Sequence, residues 1–267
     1  MPGGAARQGG FALLLVLWTM VLLSLIGTRI ATTGRVEAQL AANIRDAAVT
    51  EAAADGAVQD AAFRLLAAPP RRWPVGGTEG SLALPGVAVA VRVESEEGRV
   101  NPNLASAELL AALMRAAGAD TQSATAIAAA IVEWRFPGGA EGAAMRAYRA
   151  AGLAYGPPGK PFRSLDELGA VRGMTPALLA ALTPYLSLFA TGDPDAADAA
   201  PVVLAAMRAA TGRAPRSERG GAPPSVVRVT AAATGPNGAR FTRRAVLALN
   251  RRNAAPVRVL SWDAPGA

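Results

Sequence analysis

The first part of the chain is an uncharged apolar run that passes directly into an amphipathic one. No charged residue occurs from Phe11 to Gly27, and these 17 residues would rise about 26 Å as a helix, close to the hydrocarbon thickness of a bilayer, about 30 Å. Apolar residues then recur at helical spacing, at Val36, Leu40, Ile44, Ala48, Val58, Ala62, Leu65 and Leu66. The pattern predicts one long helix, with a transmembrane segment at 11–30 and a continuation at 31–68 that ends before Pro69.

A secretory signal peptide is the alternative interpretation of the apolar run. Such a peptide needs a small-x-small cleavage site just after its apolar region, and Gly27-Thr28-Arg29 and Ala31-Thr32-Thr33 fit that pattern poorly. The helical pattern also continues beyond both places. These observations favour a segment that remains in the chain as a membrane anchor.

A strand pattern follows a joint rich in proline, glycine and arginine at 69–80. Four valines from Val87 to Val93 alternate with alanine or charged residues, which predicts a strand with one apolar face. Glu96-Glu97-Gly98 is then typical of a turn. We expect this strand to belong to a small sheet.

Further strand patterns lie near the C-terminus. The segments 225–233 and 239–249 are joined by Gly235-Pro236-Asn237-Gly238, whose Asn-Gly pair is typical of a hairpin turn. A last strand is predicted at 256–262. With the strand described above, these segments predict an antiparallel sheet domain built from 69–100 and 211–267.

Helix signals fill the region between these strands, 101–210, which is too long to be a loop. Cap residues precede apolar runs with helical spacing. The predicted signals are Ser106 capping 107–116 with Gly118 as the stop, Asp120 capping 121–135, a capping box of Ser164 and Glu167, and Thr175-Pro176 at the start of a further helix. The pattern predicts a large inserted all-helical domain.

Composition argues against an enzyme. The chain has no cysteine and no histidine, which removes thiol nucleophiles, zinc-finger ligands and the usual general base. Asp166 and Glu167 are adjacent carboxylates that would not face one another on a helix, and they fit better as first-turn acids. The net charge of +7 comes almost wholly from arginine, in scattered pairs such as Arg243-Arg244, which we interpret as a solvated surface.

Four sequence features together resemble a known family. Gly10-Phe11 stands at the boundary between a polar segment, 1–10, and the apolar run. The other three are GRVNPNLAS at 98–106, then PFRSLDEL at 161–168 with GMTP at 173–176 and PYL at 184–186, and finally RVLSW at 258–262. In this order they resemble the K-type minor pseudopilins of bacterial type II secretion systems, the general secretion pathway protein K family. The resemblance covers most of the chain.

This resemblance implies an α+β fold, in which a pilin-like long N-terminal helix packs on a small antiparallel sheet with a large inserted all-helical domain. It also implies that residues 1–10 are a prepilin leader peptide, that a prepilin peptidase cleaves between Gly10 and Phe11, and that the new amino group is methylated. Most pilins carry glutamate at the fifth mature residue, where this chain has Leu15. Leucine cannot pair with a neighbour's ammonium group, and this substitution resembles the K-type subunit, which is placed at the filament tip.

Function and partners are also implied by the resemblance. The expected role is a non-catalytic assembly subunit at the pseudopilus tip that supports protein export across the outer membrane. The expected partners are the I- and J-type minor pseudopilins, the major pseudopilin, the prepilin peptidase and inner-membrane lipid, without nucleic acid. The chain is expected to cross the inner membrane once, with its C-terminal domain in the periplasm.

Calcium is associated with the helical insertion of this family. The corresponding stretch here, 133–141, offers only Glu133 and Glu141, with Arg135 between them. Calcium prefers six to eight oxygen ligands, several of them anionic. We therefore expect a solvated surface loop and no required cofactor. Glu141, and then Glu133, are the residues that would act as metal ligands if the family's site were retained.

A second function is a membrane-tethered DNA-binding protein of the competence type. The stretch 168–179, with Gly173-Met174 at its turn, resembles a helix-hairpin-helix, whose turn amides can hold DNA phosphates. However, Thr175 replaces the usual second turn glycine, and Asp166 and Glu167 flank the turn in place of lysines. A packing role for this segment is favoured.

Overall fold

The structure begins with a continuous helix, α1 (Gln8–Leu66), of 59 residues. The computed structural model describes residues 8–68, 71–77, 79–136, 141–217, 219–250 and 255–265. Within α1, Phe11–Arg29 is long and apolar enough to cross a membrane, and none of the residues just given as described buries it. The predicted single long helix is confirmed, and it ends before the two prolines at 69–70.

A sheet of five strands follows, in chain order and with each strand antiparallel to the next. The strands are β1 (Glu79–Leu84), β2 (Val87–Ser95), β3 (Val226–Thr234), β4 (Arg240–Leu249) and β5 (Val257–Asp263). Strands β2 to β5 confirm the sequence predictions. Strand β1 has no counterpart among the sequence predictions, because glycine, serine and alanine make up half of its six residues and favour strands weakly.

In the core between α1 and the sheet, small residues of the helix pack against the valines of β2. Alternate residues of β2, from Val87 to Val93, are buried, as predicted from their spacing. The buried residues of α1 in this core are Ala53, Ala54, Ala57, Val58, Ala61, Ala62 and Leu65. Because most of them are alanines, the helix can lie close to the sheet and still fill the space.

The turn between β3 and β4 packs directly on α1. Asn237 has a positive φ of 54° and donates from Nδ2 to Asp46 Oδ2 at 2.6 Å. A Cβ at Gly235 would overlap Thr50 Oγ1, so only glycine fits at this position. This contact lies at the end of the sheet that is nearer to the apolar part of α1.

The connection from β2 to β3 contains the helical insertion. Its helices are α2 (Ala107–Ala116), α3 (Thr121–Arg135), α4 (Glu141–Ala150), α5 (Pro176–Leu182) and α6 (Pro201–Thr211). They enclose a second core, separate from that of the sheet. Three predicted caps are confirmed, since the side chains of Ser106, Asp120 and Thr175 accept hydrogen bonds from Leu109 N, Ser123 N and Leu178 N. The predicted α+β fold class is therefore confirmed.

The predicted capping box at Ser164 is wrong. Residues Leu165–Ala170 form a 3-10 helix, and the Ser164 side chain makes no capping hydrogen bond. The tighter 3-10 turn orients its first amides differently from those of an α-helix. Glu167 Oε2 instead accepts a hydrogen bond from Arg163 N at 3.3 Å.

Candidate functional site

Between the apolar segment and the sheet, the described side chains of α1, at 36–45, are exposed. We call residues 30–45 the stalk, and the sheet with its insertion the head. The stalk is 16 residues long, about 24 Å of helix, and the head's first described contact with α1 is at Asp46. The stalk therefore separates the head from the apolar segment Phe11–Arg29.

Three large aliphatic side chains form an exposed stripe along the stalk. Val36, Leu40 and Ile44 lie four residues apart and are 63%, 58% and 61% exposed. Eighteen residues, or about five helical turns, separate each of them from a residue of α1 that the sheet buries. These buried residues are Ala54, Val58 and Ala62. The stripe is therefore on the same face of α1 that the sheet covers further along, but it has no cover of its own.

The predicted processing residues lie at the start of the apolar segment. Gly10 and Phe11 are consecutive residues of α1, which is helical through both. The Phe11 side chain is 71% exposed, and Leu15 is 55% exposed one turn further along. These residues lie far along α1 from the head, and none of the described residues buries this segment.

One buried arginine fixes the head on α1. Arg243 of β4 donates from Nε to Asp55 Oδ1 at 2.5 Å and from Nη2 to Glu51 Oε1 at 2.8 Å. These hydrogen bonds, the one to Asp55 foremost, raise the pKa of Arg243. Its guanidinium also lies 5.3 Å from the centre of the Trp262 ring, a cation–π distance.

The interpretation of Arg243-Arg244 as a solvated pair is wrong for Arg243. Successive residues of a strand point to opposite faces, so Arg244 is exposed while Arg243 is 7% exposed against α1. The strand pattern contained the necessary signal, because Arg243 shares its face with Ala245 and Leu247. The interpretation as a solvated pair used only the two adjacent charges and not this alternation.

The proposed calcium ligands are not brought into a recognisable metal site. Glu133 Oε2 lies 3.9 Å from Arg172 Nη2, an ion pair, and Arg135 turns inward to donate to the carbonyl oxygens of Pro102 and Ala105. The loop 137–140 and the side chain of Glu141 lie outside the described residues. Within the described part of the chain, no three acidic side chains are grouped as metal ligands would be.

The helix-hairpin-helix segment lacks the features of a phosphate site. The starts of α3 and α5 border a shallow cleft of about 400 Å³, and none of the described residues that line it is basic. Both helix starts are already capped, by Asp120 and by Thr175. The cleft therefore presents the carboxylate of Asp120, and the amides of Ser123 and Leu178 already have acceptors. The geometry gives the DNA-binding alternative no support.

Comparisons with known proteins agree with this arrangement. Residues 87–191, from β2 into the insertion, match the family model described as "Type II secretion system (T2SS), protein K". The whole fold is similar to a chain of the GspK-GspI-GspJ complex from the type 2 secretion system of enterotoxigenic Escherichia coli. That match has a TM-score of 0.58 and 15% identity, and it covers 87% of this chain and 99% of the other. No curated protein sequence matches the chain.

Proposed function

Since the chain is a minor pseudopilin of the type II secretion system, of the protein K family, we propose that it is the tip subunit of the pseudopilus. Its role is to assemble with other pseudopilins and so to support protein export across the outer membrane. The proposal includes no catalytic step.

The exposed stripe of the stalk is the observation that carries this proposal. Burying an aliphatic side chain of this size stabilises an assembly by about 1.5–3 kcal/mol, so Val36, Leu40 and Ile44 favour association strongly. We propose that the helices of I- and J-type minor pseudopilins cover the stripe, as the name of the similar GspK-GspI-GspJ complex suggests.

The position of the insertion supports a place at the tip. The turn between β3 and β4 contacts α1 at Asp46, on the side of the stalk, whereas the insertion leaves the sheet at Ser95 and returns at Val226, at the opposite end of these strands. The insertion would obstruct another subunit that added at the end of the sheet away from the stalk. The exposed stripe lies at the other end, on the side of the apolar segment. Further subunits, including the major pseudopilin, would therefore add on the membrane side.

Anchoring and processing complete the proposal. Phe11–Arg29 would hold the chain in the lipid of the inner membrane, with the head in the periplasm. A prepilin peptidase would cleave between Gly10 and Phe11, and the amino group of Phe11 would be methylated. Leu15 then offers no carboxylate to a neighbouring subunit, which supports an end position. We propose no required cofactor, because Glu133 already has Arg172 as its partner.

Co-purification from detergent-solubilised membranes tests the assembly role. The full chain is expected to carry the I- and J-type subunits with it, and replacement of Val36, Leu40 and Ile44 together by serine is expected to remove them. A matched control replaces the exposed Ala38, Ala41 and Ala42, on the other side of the stalk, by serine. Full retention of the partners by the stripe variant, or an equal loss in the control, would contradict the proposal.

A second experiment tests processing separately. In cells that contain the peptidase, the parent chain should migrate as the shorter mature form, and a Gly10→Val variant should keep its leader. Identical mobility of the two chains would show that no cleavage depends on Gly10.

A further inference from the structure

Three separate segments of the chain meet around Arg219, where the insertion adjoins the sheet. Arg219 Nη2 lies 2.6 Å from Asp198 Oδ2, and Arg219 Nε lies 3.1 Å from Asp195 Oδ2 and 3.4 Å from Glu97 Oε2. Glu97 follows β2, whereas the two aspartates belong to the loop before α6. One guanidinium thus bridges the end of the sheet to the insertion.

The three acids have further partners that hold them in place. Glu97 Oε1 accepts hydrogen bonds from Ser225 N at 2.7 Å and Ser225 Oγ at 2.5 Å, immediately before β3. Asp195 accepts hydrogen bonds from Ser217 Oγ and Ala197 N, and its own N–H donates to Glu97 O at 2.7 Å. The cluster therefore fixes both the entrance to the insertion and the return to the sheet.

Backbone packing at the same place is very close. A Cβ at Gly98 would overlap the carbonyl group of Asp198, so the two segments are in direct contact. The side chains of Arg219, Asp195 and Glu97 are 17%, 9% and 13% exposed, and so are largely withdrawn from water. Ion pairs with this degree of burial are screened by salt much less than surface pairs.

We propose that Arg219 is a latch that locks the helical insertion onto the sheet, so that the two move as one body. The residues 219–225 form the strap that carries the latch from the insertion back to β3. Without the guanidinium, Glu97, Asp195 and Asp198 would lie close together as like charges, which would separate the sheet from the loop before α6. The latch requires no partner subunit and no ligand.

Asp195 remains ionised at neutral pH, so its ion pair with Arg219 remains intact there. Burial opposes the charged carboxylate, but hydrogen bonds from Arg219, Ala197 and Ser217 outweigh it and lower the pKa of Asp195 to about 2. Because this pKa is depressed, the stabilisation is fully present above the ordinary value of 3.8 and is lost only as the pH falls through about 2. Glu97, Asp198 and Arg219 are the charged groups of this cluster that surround Asp195, and Arg213 and Arg216 line the same cavity as Asp195.

The chain's lack of cysteine allows a direct distance measurement on the full protein in detergent. Spin labels on cysteines introduced at the exposed positions Ala232 of β3 and Gln122 of α3 would report the separation of sheet and insertion. The parent is expected to give one narrow distance distribution. Arg219→Ala should broaden it or shift it, whereas Arg216→Ala, an exposed arginine in the same connection, should leave it unchanged.

Hydrogen exchange distinguishes opening of the junction from unfolding. Arg219→Ala should raise the exchange of the Asp195 and Val226 amides by about tenfold, the effect of losing a charged hydrogen bond, while amides within α2 and β4 stay protected. An unchanged distance distribution and unchanged exchange would overturn the proposal, as would equal loss of protection in both cores. If Arg219→Ala does not fold, the Asp198→Asn variant tests the latch instead. It should broaden the distance distribution in the same way but to a smaller extent. An unbroadened distribution in this variant would refute the latch.

Discussion

The two halves of α1 beyond its apolar segment use apolar residues in opposite ways. Where the sheet covers the helix, the buried face consists mainly of alanines, with Val58 and Leu65 among them. On the stalk the same face carries Val36, Leu40 and Ile44, all exposed. Small residues let the chain's own sheet approach closely, whereas the large residues on the stalk present an area that no described part of the chain covers. The covered half therefore stabilises the fold of the chain itself, and the open half would serve the assembly proposed above.

The largest expected difference is between two leucines on this helix. Leu65→Ala removes a side chain that is 1% exposed and should lower the free energy of unfolding by about 2–5 kcal/mol. Leu40→Ala should change it by less than about 0.5 kcal/mol in the free chain, because Leu40 has no cover. Denaturant unfolding followed by tryptophan fluorescence measures both. Similar losses for the two variants would remove the distinction between the halves.

The ion pairs of Arg243 test what holds the covered half in place. Arg243→Met leaves the carboxylates of Asp55 and Glu51 without their partner and should cost about 2–3 kcal/mol in the same unfolding assay. Arg244→Met, on the other face of β4, should stay within about 0.5 kcal/mol of the parent. A larger loss for Arg244 would mean that the two faces of β4 are assigned the wrong way round.

Gly235 marks the boundary between the covered and open halves. Gly235→Ala should destabilise the head by about 1–3 kcal/mol, because the new methyl group overlaps Thr50 Oγ1. Most of this loss should disappear when Thr50 is also alanine, since the overlapping hydroxyl is then gone. The double-mutant cycle measures this coupling, and simple additivity would show that the turn does not press on α1.

The smallest effect is expected in the insertion, away from α1. Ser106→Ala removes a confirmed helix cap and should cost about 1 kcal/mol. Ser164→Ala is the matched control, with almost no expected change, because Ser164 makes no capping hydrogen bond. Thermal unfolding followed by circular dichroism compares them. Equal shifts would show that the 3-10 turn depends on Ser164 after all.

Most of the fold follows from local patterns in the sequence. The spacing of apolar residues predicts α1, the alternating valines predict β2, and the Asn-Gly pair predicts the hairpin. Strand β1 has no such pattern, since it gains its stability by pairing with β2 at the edge of the sheet. The capping box failed because motif spacing does not distinguish an α-helix from a 3-10 turn.

The candidate site was predicted less completely. The stripe of the stalk is visible as helical periodicity, but its exposure is not, because the same periodicity continues into the buried half. Arg243 could have been assigned to the core from the alternation in β4. Arg219 could not: it lies in an irregular segment, and its three partners come from positions 97, 195 and 198. Only the folded topology brings such distant charges together.

Because α1 is one unbroken helix, the length of the stalk determines the direction in which the head faces relative to the apolar segment. Each residue of a helix contributes about 100° of rotation and 1.5 Å of rise. Inserting a single residue in the stalk would thus lift the head only slightly but swing it through more than a quarter of a circle. The direction in which the insertion faces is therefore determined by the number of residues between the apolar segment and Asp46, more than by their chemical nature.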